Sequence, residues 1–257
     1  MNEPRNGGIG PYPLAGKVAV ITGASGGIGA AVARRLSEAG AIIVIGYNSG
    51  SERALETLRS LGGSGHLVLH MPLESSADLS AAAEAVRSRL GRADILVNSA
   101  GITRAIPHAD LDGLDDATFD RILTTNVRGT FAAIRAFAPL LKASGDGVVI
   151  NLSSISAQTG LGSSIAYCAS KGAMETMSLS LARVLAPAVR VINVSPAAVN
   201  TGFVPGRDEA AIRKQAASNP LRMVAEPDDI ALSILAAVTH MRLMTGSTII
   251  VDGGRHL

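Results

Sequence analysis

The sequence predicts an α/β fold: one doubly wound, parallel, seven-stranded sheet with helices on both faces. Three observations lead there. Seven short apolar runs alternate with longer segments of helical periodicity. Of 257 residues, 47% are hydrophobic but only 3% aromatic, with no Trp. The core must therefore be Ala, Val, Ile and Leu, which suit strands covered on both faces. A glycine-rich turn joins the first strand to the first helix, where a fold of this type can seat an anion.

The elements follow in order. Residues 1–13, MNEPRNGGIGPYP, are rich in Gly and Pro and are expected to form a flexible tail. They hold no apolar segment of signal-peptide type. One domain is expected over 14–257, because no break in composition and no repeat divides the chain. KVAVI (17–21) reads as a strand, 27–40 as a helix ended by Gly40, and AIIVIG (41–46) as a strand. A helix over 51–62, the strand HLVLHM (66–71), a helix over 77–91 and the strand ADILVN (93–98) come next. One long helix is expected over 117–141, then the strand GVVINL (147–152), a helix over 165–185 and the strand VRVINVS (189–195). A loop-rich section spans 196–220, with 203–219 expected to be a mobile lid. A helix (227–240) and the strand STIIVD (247–252) close the pattern.

Composition excludes several function classes. The 23 basic and 21 acidic residues leave a net charge of +2, and no dense basic run exists, so nucleic acid is not an implied partner. No apolar run approaches the ~18 residues of a membrane span. The single cysteine, Cys168, excludes an internal disulfide and suits a reducing compartment, so a soluble cytoplasmic protein is expected.

Two stretches carry chemistry. In VITGASGGIGAA, Gly23, Gly27 and Gly29 permit a tight turn, a backbone approach to pyrophosphate, and close helix–strand packing. LGGSGH (61–66) is equally rich in glycine but runs from helix into strand, and reads as a plain turn. In AYCASKGAM, Tyr167 and Lys171 lie four apart and share one helix face. Taken alone, that pair could be a packing tyrosine and a solvated lysine.

Together with other segments these motifs resemble the short-chain dehydrogenase/reductase family, in its compact single-domain form. TGASGGIG (22–29) resembles the cofactor turn, NSAG (98–101) the signature after the fourth strand, and TTNVRGTF (124–131) the segment bearing the helix asparagine, Asn126. INLSSISA (150–157) is similar to the catalytic-serine segment, and YCASK (167–171) to the Tyr-x-x-x-Lys motif. RVINVSPAAVNTGF (190–203) and TGSTIIVDGG (245–254) complete a match in register from about Leu14 to Gly254. The segment pattern is similar to bacterial 3-oxoacyl-carrier-protein reductase-like members.

The resemblance implies a Rossmann-like fold and a catalytic set of Asn126, Ser154, Tyr167 and Lys171. Ser154 is chosen over Ser153 because the family's serine lies thirteen residues before the tyrosine; Ser153 is then expected to make a structural hydrogen bond. The implied cofactor contacts are Gly23, Ser25, Gly27, Ile28 and Gly29 in the turn, and Tyr47, Asn48 and Ser49 after the second strand. Leu73, Asn98, Ala100 and Gly101 follow, then Tyr167 and Lys171, and finally Pro196, Ala197, Val199 and Thr201. The family's acidic adenine contact is replaced by Pro72, which makes Leu73 the substitute, and its Pro-Gly pair is Pro196-Ala197 here. Ser99 replaces the second Asn of the family's signature.

These residues suit hydride transfer between a nicotinamide cofactor and a ketone or secondary alcohol. A free tyrosine has a pKa near 10, and a neighbouring ammonium favours its phenolate. Ser154 would polarise the substrate oxygen. By resemblance, Lys171 also holds the nicotinamide ribose and Asn126 holds a water in a proton relay. A non-catalytic nucleotide-binding regulator on the same fold is the competing reading, but such proteins typically lose the tyrosine or lysine. NADP is expected over NAD, because Tyr47, Asn48 and Ser49 offer no acid at the end of the second strand. Asn48, Ser49 and Ser51 could donate to a phosphate, and Arg53 could add charge if its helix faces inward; alternatively Ser49 or Ser51 merely caps the next helix. A homotetramer is implied by resemblance, with apolar faces in 117–141 and 165–185 and the strand 247–252 as interfaces.

Other chemistries are set aside. His66 and His70 lie four apart on a predicted strand, so no metal site is expected. DLDGLDD (110–116) lacks a full calcium-loop pattern and reads as a helix start capped by Asp115 or Asp116. Cys168 is read as a packing residue, and no Gly-x-Ser-x-Gly elbow supports a hydrolase.

Overall fold

VAVIT forms β1 (Val18–Thr22), and all five of its residues are buried. A strand buried throughout must be covered on both faces. Its neighbours are β2 (Ile42–Tyr47) on one side and β4 (Ile95–Asn98) on the other. β3 (Leu67–His70), β5 (Gly147–Leu152), β6 (Val189–Pro196) and β7 (Ser247–Val251) complete one seven-stranded sheet. The order is β3-β2-β1-β4-β5-β6-β7, with every pairing parallel. This computed structural model describes residues 14–257; the tail expected over 1–13 lies outside them.

Alternation along the strands divides the core in two. Ala19, Ile21, Ile43 and Ile45 face α1 (Gly27–Glu38) and α9 (Pro227–Thr239). Val18, Val20 and Val44 face α3 (Ser76–Leu90), α5 (Thr130–Ala143) and α7 (Ile165–Leu185). α2 (Ser51–Arg59) lies beside β2 and β3. Among the described residues no helix is long and apolar enough to cross a membrane.

Two sequence expectations need correction. The single helix expected over 117–141 is α4 (Asp116–Leu123), a π-helical turn over Thr124–Gly129, and then α5. One added residue barely disturbs the apolar stripe, so periodicity reads the three pieces as one. Gly129 ends the turn where a Cβ would lie 2.7 Å from the Leu73 Cβ. The section read as loop-rich holds α8 (Glu209–Ala217), and a single turn, α6 (Ser156–Thr159), follows β5. Asp115 does cap α4, its side chain accepting from the Thr118 N–H at 2.6 Å.

The order reverses between β1 and β4, so the loops leaving their C-terminal ends part there and leave a crevice. His66 is structural: Nδ1 accepts from the Ile43 N–H at 3.0 Å. No metal-type cluster of His, Cys, Asp and Glu occurs among the described residues.

Candidate active site

A cavity of about 1000 Å³ occupies that crevice. This is the upper end of the range for small-molecule sites, with room for an elongated ligand. Gly23, Ser25, Gly27 and Ile28 line one end. A Cβ on Gly23, whose φ is +68°, would lie 2.8 Å from the Ala100 Cα, so the first loop approaches the fourth only as glycine. α1 starts at Gly27 with no side-chain cap, leaving first-turn N–H groups to meet an anion.

Asn48, Ser49 and Arg53 continue the wall. Gly50 is the N-cap of α2 and no side chain caps it, so neither Ser49 nor Ser51 is used as the alternative reading supposed. A Cβ on Gly50 would sit 2.9 Å from Arg53 Nη2 and 3.2 Å from Ser25 Oγ, which puts the guanidinium beside the glycine turn. Leu73, with Met71, supplies an apolar surface, and Ala100 and Gly101 line the crevice after β4.

The far end holds Ser154, Tyr167 and Lys171. The Ser164 side chain caps α7 by accepting from the Tyr167 N–H at 3.3 Å, which fixes the tyrosine in the first helical turn. One turn on, Lys171 Nζ lies 5.6 Å from the Tyr167 ring centroid and donates to the Leu152 carbonyl at 2.6 Å. Ser154 Oγ donates to Ser156 Oγ at 3.0 Å. Ser153 Oγ donates to Glu175 Oε1 at 2.8 Å, the structural bond expected of it. Pro196 at the end of β6, and Ala197, Val199 and Thr201 after it, line the wall between the two ends.

Four expected site residues lie off the cavity wall. Gly29 packs helix on turn: a Cβ there would fall 2.4 Å from the Gly23 carbonyl oxygen. Tyr47 lies against His70, ring centroids 5.5 Å apart. Asn98 is buried in the sheet, donating to Asn151 Oδ1 at 2.8 Å. The Asn126 side chain is fully buried; Oδ1 accepts from the Ile102 N–H at 2.8 Å, while Nδ2 donates to Ile102 O and Ser170 Oγ. Its polar atoms are committed to the protein, so it braces the segment after Gly101.

Burial dominates the electrostatics. It pushes the Tyr167 phenol up to about 12, against the opposing pull of the Ser154 hydroxyl and the Arg207 charge. Burial also pushes Lys171 down to about 8, with the Glu175 carboxylate pulling it back up. The expected lowering of Tyr167 by Lys171 is not what the structure gives: burial raises the phenol, and the groups that oppose it are Ser154 and Arg207. At neutral pH the phenol therefore holds its proton.

The family model described as enoyl-(acyl carrier protein) reductase matches residues 23–256. Ketoacyl reductase 2 of the granaticin polyketide synthase from Streptomyces violaceoruber is 37% identical over 93% of this chain and 96% of its own. The crystal structure of a short-chain dehydrogenase/reductase from Burkholderia xenovorans superposes with a TM-score of 0.88, at 37% identity over 93% of this chain and 97% of that one. The chain belongs to the short-chain dehydrogenase/reductase family. It is also similar to a short-chain dehydrogenase from Burkholderia cenocepacia solved in complex with NADP, with a TM-score of 0.87, at 30% identity over 95% of this chain and 100% of that one. As a member of this family it is an oxidoreductase that transfers hydride between a nicotinamide cofactor and a ketone or secondary alcohol. The capless helix start, the glycine loop and the elongated cavity fit such a cofactor.

Several wall residues carry no motif. Glu74 accepts from Thr125 Oγ1 at 2.8 Å and faces Arg121 at 3.7 Å. Among the described residues His108 Nε2 is buried with no hydrogen-bond partner, and Arg207 and Arg255 reach the wall from the β6–α8 connection and the C-terminal segment. Nothing in their sequence spacing marks them. Glu175 was also missed, yet it continues the Tyr167–Lys171 face by one more turn, and helical periodicity could have found it.

Proposed function

We propose that the chain is an NADP(H)-dependent ketone reductase in which Tyr167 is the proton donor. One observation carries the reading: Tyr167, Ser154 and Lys171 line one end of a cavity whose other end is the glycine turn at the start of α1. The bound cofactor supplies the hydride. Tyr167 Oη gives its proton to the carbonyl oxygen as that oxygen becomes an alkoxide. Ser154 donates a hydrogen bond to the same oxygen. Lys171, fixed by the Leu152 carbonyl, holds positive charge beside the phenol and would hold the nicotinamide ribose. Asn126 is a positioning residue, since its side chain is committed to Ile102 and Ser170.

Gly23, Ser25, Gly27 and Ile28 would hold the pyrophosphate, Leu73 with Ala100 and Gly101 the adenine side, and Pro196 to Thr201 the nicotinamide. NADP is favoured over NAD because Asn48, Ser49 and the Arg53 guanidinium face the cavity with no acid among them. Arg53 makes no hydrogen bond or ion pair through its guanidinium to any described residue. The ketoacyl reductase relative makes 3-oxoacyl thioesters the first substrates to try.

A homotetramer is supported by an exposed apolar depression of Leu123, Val127, Phe131 and Met177 on α4, the π-helical turn, α5 and α7. It is also supported by the outer edge of β7, which pairs with no described strand. The single cysteine supports a cytoplasmic setting. The test is a reduction screen of 3-oxoacyl thioesters, cyclic ketones and sugar-derived ketones with NADPH and NADH. Oxidation of NADPH by at least one ketone class, faster than of NADH, is expected; no oxidation of either cofactor by any class would remove the reading.

A further inference from the structure

The tyrosine end of the cavity contains a cation that pairs with none of the described residues. Arg207 sits in the loop between β6 and α8 and lines the cavity wall with Tyr167, Phe203 and Val204. The Phe203 ring packs on the Tyr167 ring, centroids 5.9 Å apart, so this loop is seated against the proton donor. Arg207 is half-buried, and its guanidinium makes no hydrogen bond or ion pair with any described residue. Its charge is felt at Tyr167.

The other cations of the wall differ. Lys171 is held by Leu152, and Arg121 faces Glu74. Arg255 Nη1 donates to Ser218 Oγ at 2.7 Å and Asn219 Oδ1 at 3.2 Å. Arg53 also pairs with no described residue, but it lies at the opposite end, beside the glycine turn. Among the described residues the one acid on the wall is Glu74, which already has Thr125 and Arg121. Taking a guanidinium partly out of water without a partner is unfavourable. A fold that holds one beside the reacting group has a ready receptor for an anion.

We infer that the substrate is a keto acid, or in reverse a hydroxy acid, whose carboxylate is received by Arg207. The inference rests on reading the cavity as a ketone site. It chooses a carboxylate close to the carbonyl over the distant phosphates of a carrier thioester, because Arg207 shares the wall with Tyr167 itself. A planar guanidinium also suits bidentate carboxylate recognition.

The test is calorimetric binding to the enzyme–NADP⁺ complex. The probes are three matched pairs: acetoacetate and acetoacetamide, levulinate and levulinamide, 4-oxocyclohexanecarboxylate and its carboxamide. In at least one pair the native protein is expected to bind the carboxylate tenfold or more tightly than the amide. Arg207→Gln should erase that difference, Arg207→Lys should keep part of it, and NADP⁺ affinity should stay at the native value in both. Four results would overturn the inference: no discrimination in any native pair, no binding by any probe, discrimination that survives Arg207→Gln, or loss of NADP⁺ binding as the main effect of that change. A second arm compares acetoacetyl-coenzyme A with the neutral N-acetylcysteamine thioester. Discrimination confined to this arm, and lost in Arg207→Gln, would assign Arg207 to a phosphate and also overturn the keto-acid inference. Turnover is measured separately with NADPH. Carboxylate-selective binding, with no turnover of these probes or of any ketone class in the screen, would leave the Arg207 site standing and remove the reductase reading instead.

Discussion

Lys171 Nζ donates to the carbonyl oxygen of Leu152 at 2.6 Å, across from α7 to the end of β5. The bond ties the lysine to the sheet rather than to solvent, so the ammonium keeps a fixed place beside Tyr167. Burial brings its pKa down to about 8, and Glu175 one turn further on opposes that fall. Glu175 is itself held: Ser153 Oγ and Ser195 Oγ each donate to its Oε1 at 2.8 Å. Ketone reduction should therefore decline on the alkaline side as Lys171 loses its proton, near pH 8.

Glu175→Gln keeps an acceptor for both serines and removes the negative charge. A carboxylate stabilises the ammonium, so its loss lowers the lysine pKa. The alkaline limb of kcat/KM for ketone reduction should move to lower pH, while Glu175→Asp should restore most of the native profile. A limb that stays in place in the glutamine variant would take Glu175 out of the proton machinery and leave it a packing residue.

Asp94 gives a prediction about stability. Its buried carboxylate accepts from the Val18 N–H at 3.0 Å, from Lys17 at 3.0 Å, and from Arg92 at 2.8 and 2.5 Å. Burial pushes its pKa up, but the bonds from Arg92, Val18 and Lys17 outweigh burial and hold it below the ordinary value. Since the folded value lies below the unfolded one, the stabilisation is full above about pH 4 and is lost as pH falls further. Asp94→Asn should cost about 1–3 kcal/mol at neutral pH, and the gap to the native protein should shrink in acid. Urea melts at pH 7 and pH 3 measure both; an equal gap at the two pH values would contradict this account.

Much of the site was legible because local geometry carried it. Tyr167 and Lys171 share a face through the period of the helix, and the glycine turn followed from strand, glycines and helix in that order. Ser154 could be separated from Ser153, and the structure gives Ser153 a half-buried partner in Glu175. What was not legible depended on distant segments meeting. Arg207 and Tyr167 come from elements forty residues apart in sequence, on opposite sides of β6. Asn126 was placed on the right element, but only the fold reveals that Ile102 and Ser170 consume its side chain. Tyr47 was assigned to the cofactor by its place at a strand end, where strand alternation instead directs it to His70.

Cofactor choice is predicted to reside in Arg53. Arg53→Gln should weaken NADPH binding tenfold or more and change NADH binding less than twofold, because the 2′-phosphate is the only difference between them. Asn48→Asp should shift the ratio the same way by placing a negative charge at that phosphate. Fluorescence titration of both cofactors gives the four constants. Parallel losses for NADPH and NADH in Arg53→Gln would place the discrimination elsewhere.

The assembly is predicted to be a tetramer. Phe131, 40% exposed, stands in the apolar depression formed by α4, α5 and α7. Phe131→Glu should dissociate the protein to a smaller species, since an unpaired charge in an apolar interface is strongly unfavourable. Light scattering at micromolar concentration reads the mass. A monomer mass for the native protein would refute the tetramer.

The central claim is that Tyr167 gives the proton while the rest of the cavity binds. A single measurement addresses it: NADPH binding and steady-state ketone reduction by Tyr167→Phe, compared with the native protein on the best ketone of the screen. The phenylalanine keeps the ring against Phe203 and removes only the hydroxyl. NADPH affinity should remain within about twofold of native, and kcat should fall at least ~100-fold, the scale of a lost general acid. A variant that turns over near the native rate would contradict the account.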